Sequence, residues 1–330
     1  MYVHNVDPVI LKINLGFITL PLRYYGLFFG TGILTAFFIS RSFFRKLHYD
    51  DRIIDKLLIY LVVTIVLMAH FVHMLFYEPQ ALTQFKFHRW IAVGTGLASH
   101  GGFLGGLLGL YLFIKFNPQF KRPYLHYADL LFVGGAVFPM FVRLGNWFNS
   151  EIYGRTTDVP WGVIFQRRGE TLPRHPSQLY EAIVGITIFF IIYLFYKKNY
   201  RRVKDGTITI MFMVLYFTTR FFLEYFKEYQ FLSKSFPLTM GQLLSIPIVL
   251  LGLYLLFVKK YYKLLDEDKI IAPMILDEAG KNIIPMRVDK DGNLILIEEN
   301  KEEKKVELKK EKILKPKKAP EFKKKTKKKK

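Results

Sequence analysis

The first 258 residues are a near-continuous succession of apolar runs rich in Phe, Leu, Ile and Val, separated by short charged loops. Each run is about 20 residues long, enough to cross a hydrocarbon core of about 30 Å as a helix. Only a helix satisfies its backbone groups within one such segment, so the pattern predicts a polytopic helical membrane protein. A water-soluble bundle would need polar faces at helical period, and stretches such as Ile183 to Tyr196 have none. The chain has no cysteine, which excludes disulfides, cysteine metal sites and a cysteine nucleophile. Any thiol in a reaction must come from a substrate. The first 20 residues lack a basic region and a small-residue cleavage site, so no removable signal peptide is expected.

Seven spans are predicted, near 16–40, 53–77, 91–114, 128–147, 178–196, 206–226 and 239–258. Arg41, Arg45, Lys46 and Arg52, then Lys115, Lys121 and Arg122, then Lys197, Lys198, Arg201, Arg202 and Lys204 mark alternate loops as cytoplasmic. An odd span count then puts the N-terminus outside and the C-terminus in the cytoplasm. The loop 148–177 breaks the pattern with Arg155, Arg167, Arg168 and Arg174, which points to arginines that bind something. The fold class is all-α integral membrane, with residues 1–258 as the membrane domain.

Residues 259–330 differ in kind, with 23 Lys plus Arg against 14 Asp plus Glu, so they hold +9 of the total +21. Within 259–299, short apolar runs (Ile270 to Leu276, Ile283 to Val288, Leu294 to Glu298) alternate with turn signals, as in a small β-meander. Residues 300–330 are Lys/Glu-rich and cannot bury a core, so a disordered tail is expected. Such a tail is a solvated terminus or a contact for an anionic membrane surface. No specific nucleic acid is expected.

The polar residues set in apolar sequence are few, and charge at that depth is costly enough to imply function. They are Tyr25, His70, His73, His100, the cluster Arg143-Leu-Gly-Asn146-Trp-Phe-Asn149-Ser-Glu151-Ile-Tyr-Gly154-Arg155, the block Arg174 to Glu181, and Arg220 with Glu224. Arg220 and Glu224 are four apart, so they can pair with each other on one helix face. Gly145 and Gly154 predict that the backbone leaves the helix within the cluster. Gly101, Gly102, Gly105, Gly106 and Gly109 either permit close helix packing or let the helix open at Gly101-Gly102 around His100. Guanidinium groups grip phosphate oxygens and keep their charge when desolvated, so buried arginines fit a phospholipid headgroup. A purely structural network with Glu151, Glu181 and Glu224 is the alternative. Two histidines three apart, His70 and His73, are a weak metal site with no third ligand nearby, and none is expected.

Seven blocks in order make the chain resemble the prolipoprotein diacylglyceryl transferase family over roughly residues 8–258. They are Asp7-Pro-Val-Ile, Tyr25-Gly-Leu, His100-Gly-Gly-Phe-Leu-Gly-Gly, Arg143 to Arg155, Arg174-His-Pro-Ser-Gln-Leu-Tyr-Glu, Arg220-Phe-Phe-Leu-Glu-Tyr-Phe and Met240-Gly-Gln-Leu-Leu-Ser-Ile-Pro247. The resemblance implies a seven-helix transferase of the bacterial cytoplasmic (inner) membrane, active toward the outer face. Its substrates would be phosphatidylglycerol and a prolipoprotein signal peptide with a lipobox cysteine. The diacylglyceryl group would move to the thiol as a thioether, releasing glycerol 1-phosphate, with no cofactor or metal. Tyr25, His100, Asn146, Glu151, Gly154, Arg220 and Glu224 fall on positions the family uses, and Arg143 anchors its signature.

The physics runs parallel to the resemblance. Arg143 and Arg220 would stabilise charge on the departing phosphate. His100 is the candidate base for the thiol. Tyr25 and Asn146 would orient headgroup oxygens, and Glu151 and Glu224 would hold the arginines. His70 and His73 stand where the family usually shows Arg and Tyr, Val142 where it shows Gly, and Ser150 where it shows Gly between Asn and Glu. The two glycine losses cost backbone freedom rather than chemistry. A lipid-binding transporter or scaffold is the competing class, for which the His100 block has no obvious use. An ion channel would show a repeated pore-lining pattern, and none is found.

Overall fold

The computed structural model describes residues 2–16, 19–78, 80, 98–227, 238–265, 272–288 and 294–296. Eight described α-helices build the bundle: α1 (Tyr24–Lys46), α2 (Asp51–Tyr77), α3 (Ser99–Phe116), α4 (Tyr124–Gly135), α5 (Phe138–Phe148), α6 (Ser177–Asn199), α7 (Thr207–Leu223) and α8 (Met240–Leu253). Among the described residues five spans are long and apolar enough to cross a membrane, carried by α1, α2, α6, α7 and α8. A sixth results if α4 and α5, bent by 42° at their junction, count as one broken crossing. Pro139 sits in the first turn of α5, where it starts a helix but could not continue one. Of the expected span 91–114, residues 91–97 lie outside the described residues, Ala98 is extended and α3 covers 99–114.

The first span departs from expectation. The described residues before Tyr24 form no helix, and β2 (Val9–Asn14) pairs antiparallel to β3 (Thr19–Arg23). Pro21 and left-handed Gly16 (φ 85°) disfavour a helix there, so α1 begins only after Arg23. A further strand, β1 (Tyr2–His4), pairs parallel with β4 (Val163–Phe165) and straps the start of the chain to the loop after α5. The strands come from short apolar stretches that the span pattern absorbs.

Helices α2 and α3 pack through glycines one helical turn apart. A Cβ on Gly101 would fall on the Met68 carbonyl, on Gly105 on the Thr64 carbonyl, and on Gly109 on the Thr64 hydroxyl. This is the small-residue stripe that lets backbones approach. Gly101 and Gly102 lie inside the continuous α3, whose first residue is Ser99, so the helix does not open at that pair.

The apolar core sits at the end of the bundle that carries the α1–α2, α3–α4 and α6–α7 loops, around Phe43, Phe44, Phe113, Tyr127, Leu130 and Ile192. Its polar groups are filled from within. Asp129 accepts from the backbone of Gly206 (2.7 Å) and Thr209 (2.8 Å) and from the Thr209 hydroxyl (2.7 Å). His126 meets the Tyr49 hydroxyl at 2.8 Å and Asp205 at 2.7 Å. Met274 and Leu276, beyond the last span, are buried in the same core, and Arg52 and Arg122 donate to the carbonyls of Asp277 and Ala272. Two hairpins follow in this region: β5 (Ile275–Leu276) with β6 (Ile283–Ile284), and β7 (Met286–Val288) with β8 (Leu294–Leu296). The turn 289–293 and the Lys-rich tail lie outside the described residues.

Candidate active site

The opposite end is polar. Arg143 and Asn146 are three apart on α5 and share a face. The Nη1 of Arg143 donates to Asn146 Oδ1 at 3.3 Å, and Asn146 Nδ2 donates to Glu151 Oε1 at 2.9 Å. Asn149 Nδ2 donates to the same oxygen at 3.1 Å. Glu151 therefore reaches Arg143 through Asn146 rather than by the direct grip expected of it. The direct partner is Glu181 of α6, whose Oε2 lies 2.7 Å from Arg143 Nε. Its other oxygen, Oε1, is 2.8 Å from Lys227 Nζ, which also sits 3.8 Å from Glu224. Arg143, Glu181, Glu224 and Lys227 are at most 15% exposed, so each charge depends on these pairings.

Beside this chain of charges lies a small open cleft between α5, α6 and α7, lined by Arg143, Glu181, Gly185, Tyr216, Thr219 and Arg220. Arg220 does not pair with Glu224. The α-helix ends at Leu223 and Glu224–Phe226 form a 3-10 turn, which rotates Glu224 off the four-apart face and toward Lys227. Among the described residues Arg220 makes no hydrogen bond or ion pair. Its five N–H donors are thus available in a cleft that already holds Arg143.

Tyr25, in the first turn of α1, rests against Gly145 and lies in the fields of both Glu151 and Arg143. Gly154 is buried where a side chain would collide with the Phe226 carbonyl. Its N–H donates to the His175 carbonyl at 2.8 Å, and the Arg155 N–H donates to Phe226 at 2.9 Å. The backbone leaves the helix after Phe148, not at Gly145, which is helical. Ser150 has φ 53°, the left-handed region glycine prefers, so the serine carries a backbone cost at the position where the resemblance expects glycine.

His100 stands apart, exposed on the first turn of α3, and does not line the cleft. His70 is buried in α2, and His73 Nε2 is 3.4 Å from Glu78. No group of three metal-ligating side chains occurs among the described residues.

The loop arginines are mostly engaged within the protein. Arg174 pairs with Glu170 at 2.8 Å, Arg167 lies 3.6 Å from Asp7, and Arg168 donates to backbone carbonyls after α5. Tyr153 donates to Glu170 at 2.6 Å, and burial together with this carboxylate pushes the phenol up to about 12. Burial, with the charge of Arg155 adding to it, lowers the His175 imidazole and favours its neutral form. Lys227 is the participant that sequence reasoning passes over, its one signal being its place three residues after Glu224 at the end of an apolar helix.

A helical bundle with five long apolar helices among the described residues, and with two arginines lining one cleft beside a buried lysine and carboxylates, has the make-up of a multi-pass membrane protein. Residues 8–258 match the prolipoprotein diacylglyceryl transferase family, and the chain belongs to that family. It is 36% identical over 253 residues to the phosphatidylglycerol–prolipoprotein diacylglyceryl transferase of Tolumonas auensis, covering 76% of this chain and 95% of that relative. The protein of the same name from Bacteroides fragilis is 36% identical over 251 residues, covering 72% and 89%. That from Chloroherpeton thalassium is 36% identical over 245 residues, covering 74% and 90%.

Proposed function

We infer that the protein is a transferase of lipoprotein biosynthesis, moving the diacylglyceryl group of phosphatidylglycerol to a prolipoprotein. Family membership carries this reading. The availability of Arg220 opposite Arg143 supports the finer one, in which the two guanidinium groups clamp the headgroup phosphate. The thiolate of the lipobox cysteine in the precursor's signal peptide attacks a glyceryl carbon. A C–S bond forms, the C–O bond to phosphate breaks, and glycerol 1-phosphate leaves with the electron pair. The clamp stabilises the charge that builds on the phosphate in a site with little water. Tyr25, Asn146, Glu151 and Gly154 shape the headgroup subsite, and Glu224 with Lys227 and Glu181 sets the field behind it.

His100 is assigned to the peptide rather than the lipid, as base for the thiol, because its imidazole is exposed at a helix start outside the cleft. A His100→Gln variant with near-parent activity removes that assignment and leaves the clamp. The seven-span topology, with the site toward the outer face of the bacterial inner membrane, belongs to the same proposal. So do the partition at 258 and 299 and the contact of the lysine tail with anionic lipid. The test is incubation of purified protein with phosphatidylglycerol and a one-cysteine lipobox peptide, read by mass. A diacylglyceryl thioether on that peptide, absent when its cysteine is replaced by serine, establishes the reaction. Intact peptide after prolonged incubation with active-family controls running alongside rejects it.

A further inference from the structure

We propose that Arg168, Ser177 and Gln178 are positioning residues of the transfer reaction, clamping the turn 149–152 in a left-handed backbone that aims Glu151 at Asn146 and Asn149. The proposal deepens the reading of Glu151 as a substrate-binding residue and rests on it.

The turn is costly in itself. Ser150 and Ile152, the residues on either side of Glu151, have φ of 53° and 59°. A β-branched residue in that region is a rare outlier, and such outliers persist only where the surroundings over-determine them. Locally the turn is tied through its N–H groups, Ser150 to the Trp147 carbonyl at 2.9 Å and Glu151 to the Asn146 carbonyl at 3.1 Å, while the buried Ser150 hydroxyl has no hydrogen-bond partner. The carbonyls of the turn are held from outside, one by one. Arg168 Nη2 donates to the Asn149 carbonyl at 3.2 Å and its Nε to the Ser150 carbonyl at 3.0 Å. Gln178 Nε2 donates to the Glu151 carbonyl at 2.8 Å, and Ser177 Oγ to the Ile152 carbonyl at 2.9 Å.

Four consecutive carbonyls are thus taken by three side chains distant in sequence. Ser177 and Gln178 are 1% and 0% exposed and open α6, the helix whose Glu181 grips Arg143. One helix start therefore sets both the guanidinium and the Glu151 backbone, fixing their mutual register. With the turn held, the Glu151 carboxylate accepts both the Asn146 and Asn149 amides. Without it, only the N–H contacts that close α5 hold the turn, and the carboxylate loses its fixed aim.

The test uses the full-length protein in detergent with phosphatidylglycerol and a one-cysteine lipobox peptide. Arg168→Ala, Gln178→Ala and Glu151→Gln are each measured for kcat, KM and thermal midpoint, and both clamp variants are repeated in a Ser150→Gly background. The clamp predicts a kcat fall of about tenfold or more in both alanine variants, within the roughly hundredfold that a 1 Å misplacement costs. It also predicts that Ser150→Gly, which adopts positive φ freely, restores a substantial part of the loss. Recovery of kcat without recovery of midpoint separates positioning from mere stability. Because the Arg168 side chain is 49% exposed, its variant keeps the test open if Gln178→Ala fails to fold. Clamp variants with kcat within about twofold of parent, or losses that Ser150→Gly does not touch, overturn the clamp while a defective Glu151→Gln preserves the reading of Glu151. Parent-level activity of Glu151→Gln overturns both.

Discussion

The two ends of the bundle bury polar groups in opposite ways. At the end that holds the aromatic core, Asp129 receives three donors and His126 is engaged on both ring nitrogens. At the cleft end, Arg220 has no partner among the described residues, while Glu181 and Glu224 share Lys227 as their cation. A polar cluster saturated from within fixes a fold, whereas Arg220 keeps its donors unspent beside a cleft, the feature on which the proposed headgroup clamp rests. The contrast explains why similar residue types, His and Asp at one end and Arg and Glu at the other, take different roles in one membrane bundle.

The strongest way to break this contrast is Arg143→Ala. The variant is expected to lose about 10²–10³-fold in kcat/KM, checked in the peptide transfer assay. Its thermal midpoint should move much less, because Lys227 still neutralises Glu181. Met274→Ala at the other end should do the reverse, lowering stability by roughly 3 kcal/mol through the cavity it leaves, with kcat retained. Detergent-phase unfolding of both variants, run beside activity, checks the pair; a Met274→Ala variant that is stable but inactive would dissolve the distinction.

Smaller effects sharpen it. His4 is fully buried against Trp147 of α5 and Phe165, and burial holds its imidazole below the ordinary value of 6.5. The unfolded chain therefore binds more protons than the folded one as pH falls through 6.5. This predicts stability lost toward acid, at most about 1.4 kcal/mol per pH unit for one proton. Midpoints measured from pH 8 down to 5 should show this fall in the parent and a flatter profile in His4→Phe. The smallest expected change is Ser150→Gly alone, a gain of about 1 kcal/mol from relief of the left-handed serine, read as a raised midpoint.

The spans were legible because an apolar run of membrane length has few other solutions, and α1, α2, α6, α7 and α8 lie where those runs fall. Strands β1 to β4 were not, because Leu20-Pro-Leu22 merges into the run before α1 and the partner of β1 is over 150 residues away. Arg143, Asn146 and Glu151 could be read as one cluster because they are close in sequence. Glu181 was legible as one of three carboxylates open to the arginines, but its choice by Arg143 and the presence of Lys227 were not, since that chain joins three elements and its order is set by packing. The pairing of Arg220 with Glu224 failed for a local reason, the change from α to 3-10 geometry after Leu223. Ser150 was legible only as a missing glycine, and its positive φ gives that absence its physical meaning.

The proposed clamp places the headgroup phosphate between Arg143 and Arg220. Native mass spectrometry of delipidated protein titrated with phosphatidylglycerol tests it most directly, comparing parent, Arg143→Ala, Arg220→Ala and Met274→Ala. The clamp predicts one saturable lipid in the parent and in Met274→Ala, lost or weakened about tenfold or more in each arginine variant. Equal binding in all four, or a loss confined to Met274→Ala, would contradict it.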